Sequence, residues 1–185
     1  MAHRVCPWWL GYLLASPIRR ILQDPAKVVA PFVREGMTVL EPGPGMGFFT
    51  LELARAVGPS GRVVAVDLQP RMLSSLKRRA ARARLGERVD ARLASPHSLS
   101  VADLAGTVDF TLAFALVHEL PAVEAFFAEV ASASKVGAGL LFAEPAGHVK
   151  PTDFEVELGA ATRAGFKLVE RPVIRRSHAA FLKRT

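Results

Sequence analysis

From residue 37 onward, short runs of apolar and β-branched residues alternate with longer stretches in which apolar side chains recur every three or four positions. Strands repeat every two residues and helices every 3.6, so this alternation predicts a mostly parallel α/β sheet. MTVLE (Met37 to Glu41) is the expected first strand and FFTLELARAV (Phe48 to Val57) the helix after it. Beyond the turn GPSG, RVVAVD (Arg62 to Asp67) reads as a second, buried strand. Pro70 suits the first turn of a basic helix, where its missing N–H has no intrahelical partner to lose. VDARLA (Val89 to Ala94) follows as a third strand, nearer an edge given its charges. VDFTLAFAL (Val108 to Leu116) is the longest apolar run and reads as a central strand, although its length would also suit a buried helix.

Pro121 introduces an amphipathic helix over Ala122 to Ser134, and AGLLFAE (Ala138 to Glu144) is the fifth strand, with Gly137 before it as a helix C-cap. A helix is expected from Thr152 to Ala164, with Asp153 and Glu155 near its positive end. GFKLVERP and IRRSHAAFLKR supply two short final strands.

The 185 residues suit one compact domain, and half of them are apolar, enough to bury a core. Cys6 is the single cysteine, so intramolecular disulfides, Cys-pair zinc sites and CxxC redox chemistry are excluded, and a reducing cytoplasm fits. The apolar run WWLGYLLA (Trp8 to Ala15) is too short to span a bilayer. Ser16 and Pro17 carry it into a further amphipathic segment, so residues 1–34 are read as a lid or docking segment rather than a signal or a membrane-surface helix. Residues 35–185 form the main domain in this reading.

The net charge of +7 would suit an acidic partner such as RNA. Much of the excess lies in Arg71 to Arg88, where Met72, Leu73, Leu76, Ala80, Ala83 and Leu85 form an apolar stripe. The cations are therefore read as the solvated face of a helix packed on the sheet. No aromatic side chains interleave with them as base-stacking platforms.

The chemistry concentrates where the first strand runs into EPGPGMGFF. Gly43, Gly45 and Gly47 let backbone approach a bound ligand closely, because no Cβ occupies the space. Asp67 ends the second strand 20 positions after Gly47, where a carboxylate can accept from both hydroxyls of a ribose. The dinucleotide fingerprint G-x-G-x-x-G fails, because Phe48 or Thr50 falls where its third glycine belongs. A P-loop fails too, since no Gly-Lys-Ser/Thr follows. A nucleoside ligand without a pyrophosphate remains.

VLEPGPGMGFFTLELA resembles the first motif of the class I methyltransferases that use S-adenosylmethionine, an acid followed by G-x-G-x-G. VVAVDLQPRML is similar to their second motif, VDFTLAFALVHELP to the fourth-strand motif of the small-molecule, type 11-like branch, and VGAGLLFAEP to their helix-to-strand segment. The likeness spans roughly residues 17 to 170 in the family's order. It implies a Rossmann-like, seven-stranded, mostly parallel sheet with helices on both faces and an antiparallel final strand. It also implies that Glu41 orients the methionine portion of the donor, that Gly43, Gly45 and Gly47 lie under it, and that Asp67 binds the ribose. Leu68 would pack on adenine, and the backbone of Phe114 and Ala115 would meet the methionine part. Ser95 stands where many relatives carry an acid for the adenine amino group.

His118, Glu119, Glu144 and His148 follow two strands expected to be neighbours. His118 is the candidate general base, since imidazole titrates near neutral pH, and Glu144 is its candidate partner; each also has a purely structural reading, hydrogen-bonding backbone or capping a loop. A metal held by His118, Glu144 and His148 is a weaker alternative, because the spacing matches no fixed metal motif. Cys6 with His3 is weaker still. The expected partner is a small-molecule methyl acceptor. RNA ranks below it, because no N/D-P-P-Y/F cluster or catalytic cysteine accompanies the fourth strand. A non-catalytic donor-binding subunit is the third reading.

Overall fold

The computed structural model describes residues 24–185. They resolve into two compact units, one ending at Pro96 and the other His97–Thr185. Residues 1–23 of the expected lid, with Trp8, Trp9 and Tyr12, lie outside the described residues. Of its last part, Asp24 caps the short helix α1 (Pro25–Val29) by accepting from the amides of Ala26 and Lys27.

In the first unit, β1 (Thr38–Pro42), β2 (Arg62–Asp67) and β3 (Val89–Leu93) are parallel, in the order β3-β2-β1. Val39 is in register with Val63, and Ala65 with Ala91. Two helices join them, α2 (Thr50–Ala56) and α3 (Pro70–Arg82). Burial of Val39, Leu40 and Val63 through Val66 explains the apolar runs of β1 and β2, since a parallel strand inside a sheet is covered on both faces. Leu73 and Leu76 of α3 pack on Ala65, with Val89 and Ala91 beside them. Helix α2 starts at Thr50, two residues later than the sequence suggests, because residues 45–49 are used in turns. Likewise α3 stops at Arg82.

In the second unit the order is β4-β5-β7-β6. Strand β4 (Val108–Phe114) is parallel to β5 (Ser134–Pro145), whereas β7 (Ser177–Arg184) is antiparallel both to β5 and to β6 (Phe166–Glu170). The long apolar run is thus a strand. It ends where Ala115 turns into the left-handed region at φ 54°. Helices α4 (Val123–Ala133) and α5 (Pro151–Arg163) complete the unit. Gly137 is not the cap of α4. That helix ends at Ala133 and its cap residue Ser134 is already the first residue of β5. Gly137, at φ 80°, lies instead where the β4–β5 register slips between Val108↔Ser134 and Phe110↔Gly139. A glycine accommodates such an irregularity as readily as a helix end, so its sequence signal served either role.

Glu144 is carried by a part of β5 fixed by aromatic packing. Phe142, two residues earlier on the same face, stacks on Phe154 of α5 at 4.7 Å and meets Phe127 of α4 edge-on at 5.6 Å. All three rings are fully buried. Phe142→Ala should therefore cost about 3–5 kcal/mol in urea denaturation, and a loss below about 1 kcal/mol would show that the cluster does not anchor the strand.

Candidate functional site

The first unit gathers Glu41, Gly43, Gly45, Gly47 and Asp67 within one strand–loop–helix–strand passage. Asp67 Oδ2 accepts from the Gly45 amide at 3.2 Å, and its Oδ1 accepts from the Gln69 amide at 2.8 Å. The Gly43 amide donates to Val66 O at 2.9 Å, and that of Gly47 to Pro44 O at 2.9 Å. All three glycines have left-handed φ values of 69°, 55° and 87°. A Cβ added at Gly47 would lie 2.5 Å from Leu76 Cδ1, whereas one at Gly45 would meet nothing within 4 Å among the described residues. Gly47 is thus required for packing on α3, and Gly45 leaves its side of the loop open.

Glu41 is 3% exposed, and its Oε2 has no hydrogen-bond partner among the described residues. Burial pushes its carboxyl up to about 8; the Thr50 hydroxyl pulls it down and the Asp67 charge raises it further. A buried, unpaired carboxyl oxygen beside an open glycine loop fits a ligand that brings a cationic donor, as the ammonium of a methionine moiety would. Leu68 is 39% exposed, available as an apolar surface beside Asp67. The Ala94 amide pairs with Asp67 O at 3.0 Å, which leaves the exposed Ser95 just past the end of β3.

Two residues to which the sequence assigns no part in the site bear on these groups. Thr50, fully buried, starts α2 next to Glu41. Arg79 of α3 reaches Met46 O with Nη1 at 2.6 Å.

The second unit brings His118 and Glu144 together as the sequence suggests. Glu144 is fully buried. Its Oε1 accepts from the amides of Leu116 and Val117 at 3.1 and 2.7 Å, and its Oε2 is hydrogen-bonded to His118 Nδ1. With a carboxylate as partner, the neutral ring carries its proton on Nδ1 and its lone pair on Nε2. The hydrogen bond to Glu144 raises the His118 pKa above 6.5, burial opposes this, and the charges of Glu144, Glu119 and Glu157 add to it. The His148 ring lies 6.2 Å from that of His118, centroid to centroid.

The Ala115 amide donates to Ala143 O at 2.8 Å, so its N–H is taken up within the sheet. Glu157 of α5 is a group that sequence reasoning missed. Its Oε2 is buried without a hydrogen-bond partner among the described residues, and burial pushes its carboxyl up to about 7, helped by Glu144 and opposed by His118. Its position one turn after the buried Phe154 was the available signal. Among the described residues, no three His, Cys, Asp or Glu side chains converge on a geometry that could hold a metal, which counts against the His118, Glu144 and His148 alternative. Nor, among them, is any helix long and apolar enough to cross a membrane.

A glycine loop under an open face, an acid closing the second strand, and a reversed β7 beside β5 define the class I, Rossmann-like fold that binds S-adenosylmethionine. A family model described as "Methyltransferase domain" matches residues 39–137, just over half of the chain. The chain belongs to this methyltransferase family. A solved S-adenosylmethionine-dependent methyltransferase from Aquifex aeolicus is similar over 98% of this chain and 100% of its own, with TM-score 0.86 and 25% identity. An arsenite methyltransferase of Halobacterium salinarum is 41% identical over 68 residues, 37% of this chain and 17% of that protein. A protein-L-isoaspartate O-methyltransferase of Methanothrix thermoacetophila is 44% identical over 52 residues, 28% of this chain and 25% of that protein. The matched segments thus span a quarter or less of these two curated relatives.

The raised value of Glu41 makes the ligand-free stability pH-dependent. Its folded value of about 8 exceeds the ordinary 4.5, so the folded protein holds the extra proton between them. Stability from this group is complete below 4.5 and drains as pH rises through about 8. Thermal melts of Glu41→Gln should lack that part of the decline and exceed the parent near pH 8; parallel curves would remove the assignment.

Proposed function

We propose that the protein transfers a methyl group from S-adenosylmethionine to a small-molecule acceptor, with His118 taking the acceptor's proton. The observation that carries this reading is the buried Glu144 carboxylate, which fixes two loop amides and one imidazole nitrogen at once. Such an arrangement orients His118 in a single tautomer, as general-base work requires.

Glu41, the three glycines and Asp67 would hold the donor, with Leu68 and Ser95 at its adenine end and the backbone of Phe114 and Ala115 toward its methionine end. The donor supplies a methyl already activated on a sulfonium sulfur. The protein's part is then to orient the acceptor, exclude water and accept a proton at His118 Nε2. The segment 1–34, with Trp8, Trp9 and Tyr12, is proposed to cover the acceptor, supported by its aromatic content. Exposed Arg78, Arg82 and Arg84 favour RNA as a second reading, against which stands the lack of aromatic residues among them.

A screen with labelled donor across thiols, phenols, amines, metalloids and RNA tests the acceptor. Label on RNA alone, falling steeply with salt, would replace the small-molecule reading, and no label on any acceptor would favour a donor-binding subunit. Asp67→Ala should weaken donor binding roughly tenfold or more in calorimetry with turnover at saturation less affected. Unchanged affinity would sink the ribose assignment. His118→Gln should do the reverse, slowing turnover roughly a hundredfold with donor affinity intact. In the parent, turnover should rise with pH to a plateau, with a midpoint above 6.5 because the His118 pKa is raised. Deleting residues 1–15 should impair acceptor turnover more than donor binding, and equal loss of both would count against the cover.

A further inference from the structure

Helix α3 grips the glycine loop at three heights. At its start, Asp67 ties the Gly45 amide to the amide of Gln69, the residue that caps α3. In its middle, Leu76 fills the space where a side chain at Gly47 would lie. Toward its end, Arg79 donates through Nη1 to the carbonyl of Met46, between Gly45 and Gly47, at 2.6 Å.

Arg79 is out of place by residue type. Met72, Leu76, Arg79 and Ala83 follow each other at intervals of four, three and four, so they share one face of the helix. Met72 and Leu76 are buried, and the guanidinium is drawn into the same partly covered stripe, where it needs hydrogen-bond acceptors. The loop supplies one. Met46 is itself 4% exposed, so its carbonyl has little access to water. A charge-assisted bond to such a carbonyl is among the stronger hydrogen bonds a loop can be given.

The loop needs that restraint. It has glycines in left-handed geometry at positions 43, 45 and 47, and glycine loses more backbone freedom on being ordered than any other residue. A ligand that had to order the loop on binding would lose affinity by that amount. From this geometry we propose that Arg79 is a positioning residue that preorganises the glycine loop for the methyl donor. The proposal rests on the reading of that loop as the donor site. It assigns to one arginine of the basic helix a role distinct from the helix's solvated cations.

The test compares Arg79→Met, Arg79→Lys and, as a surface control, Lys77→Met in the full chain. Binding of S-adenosylhomocysteine is followed by calorimetry, donor KM and kcat by the labelled assay, and protection of the Gly47 amide by hydrogen exchange without ligand. Arg79→Met should raise the dissociation constant and donor KM roughly tenfold with kcat within about twofold, and should lower Gly47 protection. Arg79→Lys should recover part of both, because an ammonium can donate to one carbonyl without the fork of the guanidinium. Lys77→Met should match the parent. Equal affinity and equal Gly47 protection in Arg79→Met would overturn the proposal. If the parent itself bound no S-adenosylhomocysteine, the donor reading would fail, and the protection arm would still decide whether Arg79 orders the loop. Should Arg79→Met fail to fold, Arg79→Lys decides: affinity and Gly47 protection both equal to the parent's would count against the role, whereas a partial loss of both would support it.

Discussion

The carboxylate of Asp67 accepts from two backbone amides that belong to different structural elements, Gly45 in the loop after β1 and Gln69 at the cap of α3. Much of the first unit's local geometry follows from this. Gln69 makes no side-chain capping bond, and Pro70 has no amide to be capped, so α3 begins where Asp67 fixes its preceding residue. The same carboxylate fixes the height of the loop above β2. In the proposed complex the same carboxylate would also face the ribose hydroxyls. Leu76 and Arg79 then meet the loop because α3 starts there and runs along it.

The second unit uses the same device at a different strand end. Glu144 closes β5 and accepts from Leu116, Val117 and His118, all within a few residues of the end of β4. The left-handed turn at Ala115 is what directs consecutive amides of that passage toward one side chain. A non-glycine residue there costs roughly 1–2 kcal/mol, and the fully buried carboxylate offsets it with charge-assisted bonds. Glu144 thereby holds His118 at a fixed place, while the stacked Phe142 and Phe154 hold the strand that carries Glu144.

Much of the fold could be read from the chain because its central strands are buried on both faces and its helices are not. RVVAVD and VDFTLAF are largely apolar runs, while α3 shows an apolar stripe, and the two patterns differ in period. The misread part was Gly137, since a glycine satisfies a helix end and a register slip by the same freedom of φ. In the candidate site, the convergence of Gly43, Gly45, Gly47 and Asp67 was legible because it depends on backbone shape and on position at a strand end. The pairing of His118 with Glu144 was legible only as an expectation, resting on β4 and β5 being neighbours. Arg79 and Glu157 were not found, because each acts across elements: the partner of Arg79 is 33 residues away, and Glu157 is set by the surroundings of α5. Both sit on otherwise apolar helical stripes, and a charge in that position is the mark that hydropathy averaging hides.

Charge then separates the two carboxyls of the first unit. Asp67 is met by two amides, whereas Glu41 Oε2 is buried without a hydrogen-bond partner among the described residues, and burial pushes that group up to about 8. In the ligand-free protein burial therefore favours the protonated form of Glu41. The proposed donor carries two positive centres, its sulfonium and its ammonium. An ammonium beside Glu41 would favour the ionised form that burial opposes, so seating the cation and releasing the Glu41 proton become one coupled event. A neutral nucleoside would gain nothing from that coupling, so in the proposed complex Glu41 would select for charge on the ligand as well as meet its methionine end.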